Sequence, residues 1–339
     1  MKPIVVANVN GTPLGALFQD RLQSVEVNDE AGIHADTCVI TLDNRGDVLD
    51  EPPEDTTIEL LMGYEGQALY RMGLFSIDED GLSGGPDTMT ISGKSADMVA
   101  SLKSQRNQSW KKATLGAVLK TVAERNKLKA AIAKKFIDIK IEQLDQTYES
   151  DLSLITRLAD QYGALAKPTT GYLVFVERGA CVDATGQPVP VVAIDAVKND
   201  IQPGWSYSKK GRDKYGSVIA HWADKKGAKR QEVKVGDKEP VLYIKKPFKN
   251  KAEAQAAAQA KYDERLLGEY ELTFEMAIVD FRVRAETPLN ITGLSKRACG
   301  EWVVKTVGFI YTGSGFIARA VCCRKSDFNQ KSDDEAESS

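Results

Sequence analysis

The chain has 339 residues, 42% of them hydrophobic and 27% charged, with a net charge of −3. That balance is the composition of a soluble globular chain, long enough for two or three modest domains with cores of their own. No run of about 18 apolar residues occurs, so no membrane span is expected. The N-terminal MKPIVVANVNGTPLG lacks the apolar core of a secretory signal, and folding in the cytoplasm is expected.

The first hundred residues are read as β. SVEV, DTCVITLD, TTIELLMGYEG, YRMGLFSIDE and DTMTISGK are short runs rich in Val, Ile, Thr and aromatics. Turn clusters DNRGD, EPPED and LSGGPD separate them. Cys38, Ile40 and Leu42 alternate with Val39 and Thr41, the period of a strand with one face buried. Several such strands at a spacing of roughly ten residues point to a barrel or sandwich.

The period then changes. In KKATLGAVLKTVAERNKL, Leu115, Val118, Leu119 and Val122 share one helical face, and Thr114 is placed to cap it. DLSLITRLADQYG, from Asp151 to Gly163, repeats the design with an apolar stripe of Leu152, Ile155, Leu158, Ala159 and Tyr162. Ser150 or Asp151 caps its start, Gly163 supplies a left-handed stop, and Pro168 prevents continuation. YLVFVE then reads as a strand, so the charges of this segment need no catalytic explanation.

From about residue 190 the pattern is β again, in PVVAID, GSVIAHWA and PVLYIKK. One alanine-rich helix interrupts, KAEAQAAAQAKYDERLLGEY, and YELTFEMAI, EWVVKTVGFIY and GFIARAVC follow as strands. The closing acidic run is expected to be disordered.

Charge is segregated along the chain. Residues 1–60 hold twelve acids against three bases, whereas residues 209–251 hold fourteen bases against five acids. Opposed regions of this kind suit head-to-tail or layered contacts between copies or partners, and they also suit solvated faces of separate domains. The basic stretch interleaves its Lys and Arg with Trp205, Tyr207, Tyr215 and Trp222. Either a nucleic-acid surface or hairpins with inward aromatics accounts for that pattern.

Signals for chemistry are weak. The five cysteines, Cys38, Cys181, Cys299, Cys322 and Cys323, include no C-x-x-C pair and are read as buried reduced thiols. Cys322 and Cys323 are neighbours on a strand and should face opposite ways. His34 and His221 have no metal-ligand spacing. Gly93-Lys94-Ser95 resembles the end of a phosphate-binding loop, but Thr88 stands where the pattern needs glycine. Gly313-Ser314-Gly315 fits a hairpin turn better than a dinucleotide site. Among the acids, DEDG at 78–81 and DDE at 333–335 read as turn and tail. No catalytic, cofactor-binding or metal-binding residue is assigned, no cofactor is expected, and binding residues are left unnamed.

From about residue 21 to 175 the chain resembles the late control protein D family of contractile-tailed bacteriophages. The carrying residues are RLQSVEVNDEAGIHADTCVITLDNRG, TTIELLMGYEG with YRMGLFSIDE, GGPDTMTISGKSADM, LKSQRNQSWKKATLGAVL and LDQTYESDLSLITRLADQYGALAKP. HWAD, AQAAAQAKYDERLL and GEWVVKTVGFIYTGSGFIARAVC extend it more weakly to about residue 325. The resemblance implies an α+β, mainly β fold of two tail-tube-like β-barrel domains with helical modules, related to the N-terminal part of type VI secretion spike proteins.

On that pattern residues 1–100 form the first barrel, 101–170 a helical module and 171–205 a strand-rich connector. Residues 206–325 form the second barrel, with a helical insertion near 250–268, and 326–339 a disordered acidic tail. The implied role is a non-enzymatic baseplate hub in the virion tail: a homotrimeric ring joining a hexameric tail tube protein to a trimeric spike protein. Implied neighbours also include a tape-measure protein and other baseplate proteins, with DNA passing through the channel. A bacteriocin or secretion machine without DNA cargo, and a hub that cleaves peptidoglycan, are the alternatives. Replacing Lys209, Lys210, Arg212 and Lys214 by Glu is expected to impair tail assembly or DNA delivery; unchanged tails and infectivity would remove both readings of the basic stretch.

Overall fold

The computed structural model describes residues 1–32, 35–96, 100–169, 171–183, 186–198, 200–210, 215–223 and 230–324. The N-terminal part is built of strands β1 (Pro3–Val9), β2 (Thr12–Pro13), β3 (Leu22–Glu30), β4 (Thr37–Asp43), β5 (Thr57–Tyr64), β6 (Tyr70–Ser83) and β7 (Thr88–Ser95), with a short helix α1 (Ala16–Arg21) before β3. Alternation sets which side is buried: Cys38, Ile40 and Leu42 of β4 and Val25 and Val27 of β3 are interior, while their neighbours are half exposed. β1 was not anticipated. Helix α1 covers its free edge, where the Gln19 side chain donates to the Val5 carbonyl at 2.8 Å.

The middle of the chain contains α2 (Ala100–Lys103), β8 (Gln105–Thr114), α3 (Leu115–Arg125), β9 (Lys129–Ile132), α4 (Lys134–Ile137), β10 (Lys140–Ser150), α5 (Asp151–Tyr162), β11 (Ala164–Thr169) and β12 (Tyr172–Glu177). The two long helices form as their sequences require. Thr114 accepts from the Ala117 amide and Ser150 from the Ser153 amide, and Gly163 ends α5 at φ 64°. Leu154, missing from the expected stripe, is fully buried, while Leu152 is only partly covered. Of the strands beside these helices, only β12, the run YLVFVE, was expected. β8 pairs with β10, and β11, β12 and β9 make a second small sheet.

The C-terminal part comprises β13 (Val192–Asp195), β14 (Ser206–Lys209), β15 (Ser217–Ala223), β16 (Arg230–Gly236), β17 (Val241–Tyr243), α6 (Lys251–Leu267), β18 (Tyr270–Met276), β19 (Pro288–Thr292), β20 (Gly300–Thr312) and β21 (Gly315–Arg324). Strands β16, β15 and β17 form their own sheet. It packs Val218, Ala220, Val233 and Val235 onto Ala254 and Ala258 of α6. The small alanines let the helix lie close to the strands, and Asn250 caps it by accepting from the Glu253 amide at 2.9 Å.

All other strands of the N- and C-terminal parts join one 13-stranded sheet, in the order β14-β18-β21-β20-β3-β4-β7-β6-β5-β1-β2 with β19 and β13 branching from β20. Strand β20 is the hinge of this order. Its first residues pair with β19, a bulge interrupts it between Val304 and Thr306, and the remainder pairs with β3 in the register Phe309 to Val27 and Tyr311 to Val25. Two separate closed barrels were expected; among the described residues the pairing closes nowhere. Two arcs, antiparallel except where β13 joins β19, share one sheet instead, because β20 and β3 saturate each other's edges. Their interior residues accordingly make one core, from Ile40, Leu60 and Phe75 to Phe274, Trp302 and Phe309. A second core of α3, α5 and the middle strands has Phe136 edge-on to Phe175, ring centroids 5.1 Å apart.

Gly116 sits inside α3, where alanine would ordinarily favour the helix by up to about 1 kcal/mol. A Cβ there would lie 2.8 Å from the Ile137 carbonyl oxygen. Gly116→Ala should therefore lower stability by about 1–3 kcal/mol in chemical denaturation. A stabilised variant would show that α3 and the α4 turn are not in this close contact.

Candidate functional sites: a buried ionic junction and charged surfaces

The sequence candidates for chemistry are placed in structural settings. Gly93, Lys94 and Ser95 belong to strand β7, with Lys94 paired to Asp78. Gly313 and Ser314 form the turn between β20 and β21. Asp78, Glu79 and Asp80, expected in a turn, lie within β6, extended there by pairing with β7. Cys38 and Cys322 are buried, and Cys181, Cys299 and Cys323 are half-buried. Burial pushes the Cys38 thiol up to about 12 and the Cys323 thiol up to about 11, so neither is a ready nucleophile. His221 is 7% exposed and stacks on Tyr243, with ring centroids 6.3 Å apart. No cluster of His, Cys, Asp and Glu suited to a metal occurs among the described residues. None of their helices is long and apolar enough to cross a membrane. His34, Arg212, Lys214 and residues 333–335 lie outside the described residues.

Among the described residues, three of the four aromatics singled out with the basic stretch point inward and the fourth, Tyr215, is 37% exposed. Trp205 and Tyr207 pack against the main core and Trp222 against the core beneath α6. Lys209 lies 3.7 Å from Glu269 and Lys210 2.5 Å from Glu271, across the β14–β18 pairing. These two lysines are therefore engaged within the chain.

The most concentrated electrostatic feature was not legible in the sequence. Lys167 Nζ, on β11 of the middle module, reaches Asp36 at 2.7 Å, Asp29 at 3.3 Å and the Glu30 carbonyl at 2.8 Å. Asp29 also accepts from the Ala285 amide, and Glu286 from the Gly179 amide, both at 3.2 Å. Arg284 donates to the Arg71 carbonyl at 2.9 Å and lies over the Phe309 ring. Five charged side chains thus gather around a cleft of about 430 Å³ where the N-terminal arc, the middle module and the Phe281–Thr287 segment meet. Burial, reinforced by the Asp29 charge, raises Asp36 to about 6, and burial raises Glu286 to about 7. Burial alone would lower the Lys167 ammonium, but the two carboxylates outweigh it and hold it above its usual value. The only sequence hint was one lysine in the apolar run ALAKP, which needs a partner once the strand is buried.

A second buried network lies inside the middle module. Asp151 is fully buried. Its carboxylate accepts from Arg125 Nε at 2.7 Å, from Asn126 at 2.8 Å and from Gln146 at 2.8 Å. Arg125 also donates to Gln108 and, at 3.1 Å, to Gln146. Every oxygen of the acid is occupied, so Asp151 fixes α5 against α3, β8 and β10 and is spent on that packing.

The sheet has one face on the core and one open. The open face carries Ser24, Glu26, Asn28 and Glu30 on β3; Thr37, Val39, Thr41 and Asp43 on β4; and Thr88, Thr90, Ser92 and Lys94 on β7. Glu271, Thr273 and Glu275 of β18 and Ile317, Arg319 and Val321 of β21 continue it. Small hydroxyls dominate, and carboxylates outnumber cations. Such a surface neither neutralises phosphates nor offers rings to stack on bases.

The family model described as "Phage tail baseplate hub (GPD)" matches residues 75–314. The chain is 30% identical to the "Probable baseplate hub protein" of Escherichia phage 186, over 99% of this chain and 97% of that one. It is also 30% identical to the protein so described in Escherichia phage P2, over 94% and 92%. Among solved structures, a 43 kDa tail protein of prophage MuSo2 from Shewanella oneidensis shares the fold, with TM-score 0.70, 13% identity and coverage of 94% and 98%. An E. coli component of the type VI secretion system aligns with TM-score 0.53 and 10% identity, over 90% of this chain and 74% of that one. At these identities the two structures speak for the fold alone.

The raised carboxyls of the junction make stability depend on pH. Their folded values lie above the unfolded ones of 3.8 and 4.5, so the native state holds protons that the unfolded chain has released. Their contribution is present at low pH and lost as pH rises through about 6 to 7. Urea unfolding at pH 5.5 and pH 8 should show a loss on the order of 1–3 kcal/mol at the higher pH, and Asp36→Asn with Glu286→Gln should flatten the slope. An unchanged slope in that double variant would contradict the assignment.

Proposed function

The chain belongs to the phage tail baseplate hub family, and from that premise we propose that it works as a homotrimeric ring in the baseplate of a contractile tail. One side of the ring meets the hexameric tail tube, the other the trimeric spike, and the protein acts by shape and adhesion, without catalysis. The observation that carries this reading is the sheet of two arcs in one chain. Three copies supply six arcs, the count a sixfold tube requires, while the chain itself repeats three times, as a trimeric spike requires.

In this reading the arc of β1 to β7 and the arc of β13, β14 and β18 to β21 are the two tube-like units. The middle module and the small sheet with α6 stand beside them. The open face of the sheet lines the channel. Its hydroxyls and its excess of carboxylates suit a wall that passes DNA because it does not hold it. The engaged Lys209 and Lys210 make the basic stretch a poor channel wall, which moves its proposed role from DNA to assembly.

Native mass spectrometry of the purified chain, with top-view electron micrographs of the same sample, tests the ring. A trimer with an open centre and near-sixfold outline is expected. A monomer at every concentration, with and without the spike protein of the same tail, would overturn it.

A further inference from the structure

Two surfaces of opposite sign lie far apart in the sequence and make no described ion pair with each other. The first surrounds the outer half of the β6–β7 hairpin. There Glu79 and Asp80 stand on a stretch of β6 that pairs with β7 alone, since the pairing of β6 with β5 ends at Ser76, opposite Thr57. The loop from β4 to β5 is tied to the hairpin tip by the Asn44 amide, which donates to the Asp87 carbonyl at 2.9 Å. That loop adds Asp47, Glu54 and Asp55. These carboxylates and Asp87 are exposed, and none forms an ion pair with a described residue. Leu82, 65% exposed, stands among them.

The second surface is the small sheet on α6. Arg230, Lys234, Lys238, Lys245 and Lys246 are exposed there without an ion-pair partner among the described residues, and they outnumber the exposed acids of the same sheet, Glu232, Asp237 and Glu239. Beside them Tyr243 is 56% exposed. Each patch thus combines an excess of one charge with one large side chain that exposes apolar surface, the arrangement of an interface with an apolar centre and a polar rim.

We infer that the acidic hairpin surface of one copy docks on the basic β15–β17 surface of a second copy, forming the head-to-tail contact that closes the ring. The inference rests on the ring reading above and names its contact. The charges decide the symmetry. A twofold contact sets a patch against itself, acid on acid or base on base, and is repelled. Opposite patches on one chain attract only head to tail, and contacts of that kind repeat around an axis until they close. This is also where the charge segregation of the sequence finds a use: acids and bases are kept apart within the chain so that they meet between chains.

The test uses the full chain. Glu79→Lys, Asp80→Lys and Asp87→Lys make one variant; Lys234→Glu, Lys245→Glu and Lys246→Glu make the other. All six sites are exposed, and unchanged melting curves check that both variants fold. Light scattering at low salt should show each variant dissociating at protein concentrations about tenfold higher than the parent chain, with the parent's assembly weakening as salt rises. Mixing the two variants should yield assemblies containing both, and uniting all six substitutions in one chain should restore self-assembly. If the parent assembles and both variants do so equally well, the contact is wrong and the ring survives. The contact is equally wrong if both fail and the six-fold variant does not recover. A parent chain that never assembles, with or without the spike protein of the same tail, overturns the ring and this contact together.

Discussion

The pairing of β3 with β20 is the constraint on which the rest of the structure depends. It brings residue 24 to residue 312 and residue 30 to residue 306, so its loop closure is among the most costly in the chain. What offsets that cost is burial. Val25 and Val27 face Tyr311 and Phe309 in one interior, and the two arcs share a core that neither would complete alone. The seam also sets the junction beside it. Asp29 and Glu30 end β3, the Ala31 amide donates to the Lys305 carbonyl at 3.0 Å, and Lys167 reaches into the same corner.

The middle module is attached differently from the arcs. Its inner core is apolar and closed, and Asp151 with Arg125 locks its helices from within. Its contact with the main sheet is ionic at the Lys167 cleft, and it meets α6, outside that sheet, where Ala260 approaches Gly163 at the end of α5. Buried ion pairs add little net stability, because desolvation cancels much of the attraction, but they penalise any arrangement that leaves one charge alone. The junction therefore acts on position more than on adhesion, holding the module at one orientation to the sheet.

Much of the fold could be read in the chain, and the omissions share a cause. Cys38, Ile40 and Leu42 announce β4, and Thr114 and Gly163 mark helix ends, because local chemistry dictates those elements. β8, with the sequence QRNQSWKKAT, and β16, with RQEVKVG, carry few apolar residues and are strands only because β10 and β15 offer them backbone partners. The joining of the two arcs was not readable either, since period-2 alternation marks a strand and is silent on its neighbour. The junction was hidden for the same reason: Asp29, Lys167 and Glu286 meet only after the seam has formed. The charge bias of the two regions was visible from composition, but its assignment to a hairpin edge and a separate small sheet required the structure.

The seam also bears on timing during synthesis. A ribosome adding about 5–20 residues per second needs tens of seconds to go from β3 to β20. Throughout that interval the edge of β3 is an open template, and the acids at its end await a lysine and a backbone amide that have yet to be joined to the sheet. A chain broken off before Thr312 has the acidic hairpin but not the completed sheet. Strand pairing thus acts as a length inspection, since only polypeptides translated through β20 and β21 can complete the main sheet.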